Sequence, residues 1–178
     1  MLAIDLYNQL ERDFVKPEMA EPGWPMGIMH DFAERINKVY TAVFPSDVVL
    51  NKILANGTQD AMLFLHHAEY WDLSKDPDVA FYSPNEDLLE KLKQRNISLF
   101  CYHVPLDNFG EYSTSSTLAN ALGITIEKPF SEYHGAIVAV IGSTNFDNIS
   151  SLNAKCAEAA GHKTHLYQYG GAEIKNGR

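Results

Sequence analysis

Ala61-Met-Leu-Phe-Leu65 is an unbroken apolar run that ends in two adjacent imidazoles, His66 and His67, and the pattern recurs where Ile97-Ser-Leu-Phe-Cys-Tyr102 ends in His103-Val-Pro-Leu-Asp107. Short apolar runs of this kind fit strands buried on both faces, as in the parallel part of a sheet. The residues upstream support that reading. Asn37 to Phe44 is rich in β-branched and aromatic residues and reads as a strand. Pro45-Ser46-Asp47 supplies a turn and a helix N-cap, Val48, Val49, Leu50, Ile53 and Leu54 form one helical face, and Asn56-Gly57 supplies the stop. Strand, helix and strand make a βαβ unit, whose right-handed crossover sets its strands parallel.

The pattern repeats at once. Ser83 to Arg95 opens with a cap and an acidic first turn, closes on basic residues and leads into Ile97 to Tyr102. His66, His67 and His103 are thereby expected at the carboxyl ends of neighbouring parallel strands, where open α/β sheets bind ligands. The fold class that follows is α/β: a βαβ-based mixed sheet with helices packed on it and a metal site at the carboxyl ends of its strands.

Outside this centre, Ile4, Leu6, Leu10 and Phe14 form the stripe of a first helix over Ala3 to Phe14, and the Pro/Gly-rich Lys16 to Gly27 reads as a loop. Ser113 to Gly123 reads as a capped helix ended by its glycine, followed by an extended Ile124 to Lys128. Gly135 to Ile141 reads as a buried strand, Ile149 to Ala160 as a helix stopped by Gly161, and Thr164 to Tyr169 as a strand. Residues 1–130 are expected to form the α/β domain that carries the metal motifs, and residues 131–178 to continue that fold. Asn176-Gly177 is a hairpin signal with only Arg178 after it, so the chain is expected to be incomplete at its C-terminus.

Charge and composition narrow the function classes. A net charge of −9 argues against a nucleic-acid backbone as partner and is compatible with a cation site. No apolar stretch reaches the roughly 20 residues that span a bilayer, and Met1-Leu-Ala-Ile-Asp5 lacks the features of a signal peptide, so the expected location is the cytoplasm and no membrane partner is expected. Cys101 and Cys156 belong to no C-x-x-C pair and read as buried, small apolar residues.

Imidazoles and a carboxylate are the ligand set of a borderline divalent metal. Successive strand residues point to opposite faces, so His66 and His67 can both serve metal only where the strand ends and the backbone turns. Glu69-Tyr-Trp-Asp72 and Lys75-Asp-Pro77 fit such a departure; the alternative is one core-capping and one surface imidazole. Pro105 stops the second strand from continuing, and Asp107 is expected to point back toward the same edge. His30, His134, His162 and His165 read as hydrogen-bonding or surface residues. Gly110 to Ser116 reads as an N-cap rather than an anion cradle. Trp24 and Trp71 read as packing residues.

Leu65-His-His-Ala-Glu-Tyr-Trp71, His103-Val-Pro-Leu-Asp107 and Leu118-Ala-Asn-Ala-Leu-Gly123 together resemble the Ngg-interacting-factor-three-like dinuclear-metal family, often labelled GTP cyclohydrolase 1 type 2. The likeness covers Asn37 to Gly123 in order and spacing, and the rest more loosely. It implies a mixed α/β protein that binds two divalent ions per subunit, zinc, iron or manganese, through His66, His67 and Asp107, with His103 as a pocket residue behind them. It also implies a ring-like homo-hexamer and a metal-dependent hydrolase, in which two ions lower the pKa of a shared water for attack on a polarised carbon of a small-molecule substrate such as a purine. The competing reading is a noncatalytic metal-binding or protein-interaction and regulatory module. The family's late His-x-x-x-Glu motif has no counterpart after Asp107.

Overall fold

In the computed structural model, residues 1–15, 19, 25–71, 81–175 and 177 are described. Trp24, Asp72, Lys75-Asp-Pro77, Asn176 and most of the Lys16 to Gly27 stretch lie outside them. Among the described residues, no helix is long and apolar enough to cross a membrane. The chain forms two compact units, Met1–Pro105 and Leu106–Arg178.

The first unit holds α1 (Ala3–Phe14), β1 (Gly27–His30), β2 (Lys38–Ala42), α2 (Asp47–Ala55), β3 (Ala61–Leu65), α3 (Glu86–Lys93) and β4 (Ile97–Cys101). The helix signals act as chemistry requires: the Ser46 hydroxyl accepts from Val49 N, and the Asn85 side chain accepts from Asp87 N and Leu88 N, satisfying amide donors that the first turns leave over. The sheet order is β1-β4-β3-β2. β2 and β3 pair in parallel with Ala42 opposite Leu65, and β3 and β4 pair in parallel with Leu65 opposite Cys101, so three strands end level.

The continuous apolar runs bury both faces of the sheet. Ala61, Leu63 and Leu65 with Ile97, Leu99 and Cys101 meet Leu50 and Ile53 of α2 and Leu88 and Leu92 of α3. Fully burying one such leucine contributes about 1.5 to 3 kcal/mol. On the opposite face Phe100 stacks on Tyr7 of α1 at 5.5 Å and on Phe64 at 5.8 Å, and meets Tyr102 edge-on at 4.8 Å.

β1 is a strand that the sequence pattern does not announce, and it meets the expected Lys16 to Gly27 loop only at Gly27. It pairs antiparallel with β4, from Gly27 opposite Cys101 to His30 opposite Leu99, with an irregularity between Ile28 and His30, and it makes the sheet mixed. The segment after it is tied down by Ser98, a fully buried hydroxyl that accepts from Phe32 N at 3.0 Å and Ala33 N at 2.8 Å.

A short helix, α4 (Val104–Asp107), leads into the second unit, which holds α5 (Thr114–Leu122), β5 (Thr125–Tyr133), β6 (Ala136–Ser143) and α6 (Ile149–Ala160). Gly123 and Gly161 close α5 and α6 in the left-handed conformation, at φ 72° and 71°. β5 and β6 form a separate antiparallel pair with Tyr133 opposite Ala136. Its two-residue turn, His134-Gly135, has positive φ at both positions, the backbone that matches strand twist in a tight hairpin. Two expectations change here. In the Gly135 to Ile141 run Ala136 is buried, residues 137–140 are half-buried and Gly135 and Ile141 are exposed, because the strand has one partner, β5, among the described residues. Thr164 to Tyr169 forms no strand; Tyr167 and Tyr169 are 74% and 94% exposed, and the segment joins no ladder among the described residues.

Candidate metal centre

The strand ends carry the site. Past Leu65, His66 N donates to Ala42 O at 3.3 Å and His67 N to Val43 O at 2.7 Å, so the backbone stays tied to the exit of β2 while it bends at His66. On the other side Tyr102 N donates to Leu65 O at 3.0 Å, holding the exit of β4 level with that of β3. The bend resolves the difficulty of adjacent residues, because the two rings no longer follow strand alternation. Ring centroids of His66 and His67 are 4.6 Å apart, those of His66 and His103 5.0 Å, and those of His67 and His103 4.7 Å, a nearly equilateral triangle.

One ring nitrogen from each of the three histidines lies within 4.8 Å of the others, and all three residues are half-buried. Three imidazoles bound to zinc at 2.0 to 2.1 Å in tetrahedral geometry stand about 3.3 Å apart. The side chains need to close by at most about 1.5 Å to reach that spacing, a matter of χ rotation without backbone movement. The donor set therefore fits a divalent ion of borderline softness, and His66, His67 and His103 can hold one.

The orientation of His66 is already set. Its Nδ1 lies 3.2 Å from Tyr102 O, and a carbonyl only accepts, so Nδ1 carries the proton and Nε2 keeps its lone pair. Metal-ligating histidines commonly have this arrangement, in which the second nitrogen donates to a backbone carbonyl and fixes the tautomer. Cys101 Sγ donates to His66 O at 3.3 Å and clamps the same residue from below. Burial pushes that thiol up to about 12, so it remains protonated and is no thiolate ligand; both cysteines are free.

An aromatic wall stands beside His67. Trp71 meets its ring edge-on at 5.4 Å and packs on Phe44 at 5.0 Å and Phe81 at 6.4 Å, while remaining 43% exposed. Asp107 ends α4 in the second unit, and its Oδ1 accepts from the Thr114 hydroxyl. His30 closes β1 with its imidazole held below the usual range by burial, His134 forms the hairpin turn, and His162 Nδ1 contacts Lys163 O at 2.8 Å. Ser113 serves as the N-cap of α5, accepting from Ser116 N at 3.1 Å. The feature that the sequence hid is the Tyr102 carbonyl: a main-chain acceptor leaves no mark in residue identity.

The family model described as Duf34/NIF3 (NGG1p interacting factor 3) matches residues 1–175. The chain belongs to this family. Among curated relatives, the GTP cyclohydrolase 1 type 2 homolog of Escherichia coli strain K12 is 29% identical over 102 residues, 57% of this chain and 39% of that protein. The homolog of the same name from Pyrococcus horikoshii is 28% identical over 157 residues, 84% of this chain and 58% of that protein. The chain thus spans about two fifths to three fifths of the length of these relatives. A crystal structure from Thermus thermophilus superposes with a TM-score of 0.75 at 18% identity over 98% of this chain and 67% of that one, which shows a shared fold.

Proposed function

We propose that this member of the Duf34/NIF3 family binds divalent metal at the carboxyl ends of β3 and β4 and uses it in hydrolysis of a small molecule. The observation that supports the reading is the three-histidine cluster with one of its rings held in the ligating tautomer by Tyr102 O. From the family resemblance the proposal adds Asp107 as a ligand, a second ion, and assembly of the chain into a homo-oligomeric ring. When bound, divalent ions supply Lewis acidity that brings the pKa of coordinated water toward neutrality.

The chain's own residues do the rest of the work. His66 and His67 present nitrogen lone pairs from a backbone anchored to β2, and His103 presents its ring from the end of β4. Trp71, with Phe44 behind it, gives the open side of the site an apolar wall that limits water around His67. The name of the relatives, GTP cyclohydrolase 1 type 2 homolog, makes GTP the first substrate to test.

Metal content and turnover separate the readings. Purified protein dialysed against zinc, iron(II) and manganese is expected to retain at least one ion per chain, and His67→Ala to lower retention at least tenfold with an unchanged circular-dichroism spectrum. Asp107→Asn tests the carried-over ligand separately. Retention equal to wild type in a His66→Ala/His67→Ala double variant would refute the site. Retained metal without formate release from GTP would refute this substrate and favour the noncatalytic metal-binding reading.

A further inference from the structure

A cavity lies on the other side of the sheet from α2 and α3, where α1 crosses β1 and β4. Its volume is about 250 Å³, at the small end of ligand pockets. Its floor is aromatic: Tyr7, Phe100 and Tyr102 line it and are 4%, 1% and 2% exposed. Its rim is apolar and open, with Ile4, Met26 and Ile28 at 55%, 37% and 43% exposure.

Tyr102 is the informative member. Among the described residues its hydroxyl has no hydrogen-bond partner, whereas the neighbouring Tyr7 hydroxyl donates to Asp31 Oδ1 at 3.3 Å. Tyr102 is 2% exposed and lines this cavity, so its hydroxyl is available to whatever fills the cavity. The hydroxyl belongs to a residue that lines the cavity and feels the charge of Glu11, whose carboxylate stands on the same cavity wall. Among the described residues of that lining, Glu11 is the charged one and Asn8 adds a neutral amide.

We propose that this cavity binds a small organic ammonium with an apolar body. The carboxylate of Glu11 and the Tyr102 hydroxyl accept its N–H groups, and the aromatic floor offers ring faces to the cation, an attraction worth about 0.5 to 2 kcal/mol per contact. The apolar body lies against Ile4, Met26 and Ile28. An anion is disfavoured beside the Glu11 carboxylate, because like charges repel.

The site is independent of metal at the histidines, so its test uses the metal-free protein. The probe is 2-phenylethylammonium, titrated into ¹⁵N-labelled protein, with 2-phenylethanol and phenylacetate as neutral and anionic controls. Saturable shifts of the Tyr7, Asn8, Ile28 and Tyr102 amides are expected for the ammonium, with affinity at least tenfold above the alcohol and none for phenylacetate. Glu11→Gln is expected to abolish the preference for the ammonium over the alcohol. Tyr102→Phe, which keeps the ring and the fold, is expected to weaken the ammonium severalfold. Equal affinity for ammonium and alcohol, no saturation by about 20 mM ammonium, or binding untouched by both substitutions overturns the proposal.

Discussion

Ser98→Ala removes one oxygen from the middle of the first unit and should be among the more costly single-atom deletions in the chain. The hydroxyl is 0% exposed and accepts from two backbone amides, Phe32 N at 3.0 Å and Ala33 N at 2.8 Å. Ala33 is 4% exposed and Phe32 half-buried, so the orphaned Ala33 donor has little access to water and the Phe32 donor only partial access. One buried unsatisfied donor costs about 1 to 3 kcal/mol, and two sharing a single acceptor are expected to cost about 2 to 4 kcal/mol together. Against a domain stability of roughly 5 to 15 kcal/mol this is a large share. Urea unfolding followed by far-ultraviolet circular dichroism should show a lower midpoint at unchanged slope; with a slope of about 2 kcal/mol per molar urea, the midpoint falls by about 1 to 2 M. Amide exchange at Phe32 and Ala33 should accelerate. Metal retention of the folded variant should not change, because about five residues of extended chain, roughly 16 Å, separate Ser98 from His103. A loss below about 0.5 kcal/mol would refute the reasoning, since it would mean that the two amides find other acceptors.

Two further outcomes follow from the same structure. Burial raises Cys101 from its ordinary value of 9.0 to about 12, and burial with the Glu11 charge raises Tyr102 from 10.0 to about 12. Both groups hold their protons more tightly folded than unfolded, so their contribution is complete below pH 9 and is lost as pH climbs toward 12, with a limiting slope of about 1.4 kcal/mol per pH unit for each group. Denaturation midpoints measured at pH 8, 9.5 and 11 should fall, and Cys101→Ala should flatten the earlier part of the fall; a flat profile in wild type would contradict the assignment. Gly142→Ala should destabilise the second unit by about 1 to 3 kcal/mol. A Cβ there would stand 2.5 Å from both Ile124 Cγ2 and Thr125 O. Faster amide exchange along β5 and β6 is the readout, and unchanged protection would count against it.

What the sequence disclosed depended on whether an element's signal was local. Ala61 to Leu65 and Ile149 to Ala160 carry their limits in their own residues, an apolar run in one and an N-cap and terminal glycine in the other, and the structure returns both unchanged. β1 has no such mark: Gly27-Ile-Met-His30 becomes a strand because β4, far along the chain, offers it an edge. Thr164 to Tyr169 shows the converse, since its composition suits a strand but it pairs with no strand edge among the described residues. The same contrast runs through the site. The strand ends and the residues His66, His67 and His103 were legible, but the closeness of His103 to both others depends on β3 and β4 ending level, and the orientation of His66 on a carbonyl.

That level ending has a consequence for a chain being synthesised. His66 and His67 leave the ribosome well before His103, and at that stage β4, which supplies both the third imidazole and the carbonyl that turns His66, does not yet exist. On the metal-binding proposal, a nascent chain offers an ion two loosely held nitrogens that ordinary cellular chelators can strip, and firm capture waits until β4 has paired with β3. Metal retained by stalled ribosome complexes should therefore step upward only for chains long enough to expose Tyr102 and His103, and a uniform rise from His67 onward would show that the adjacent pair suffices.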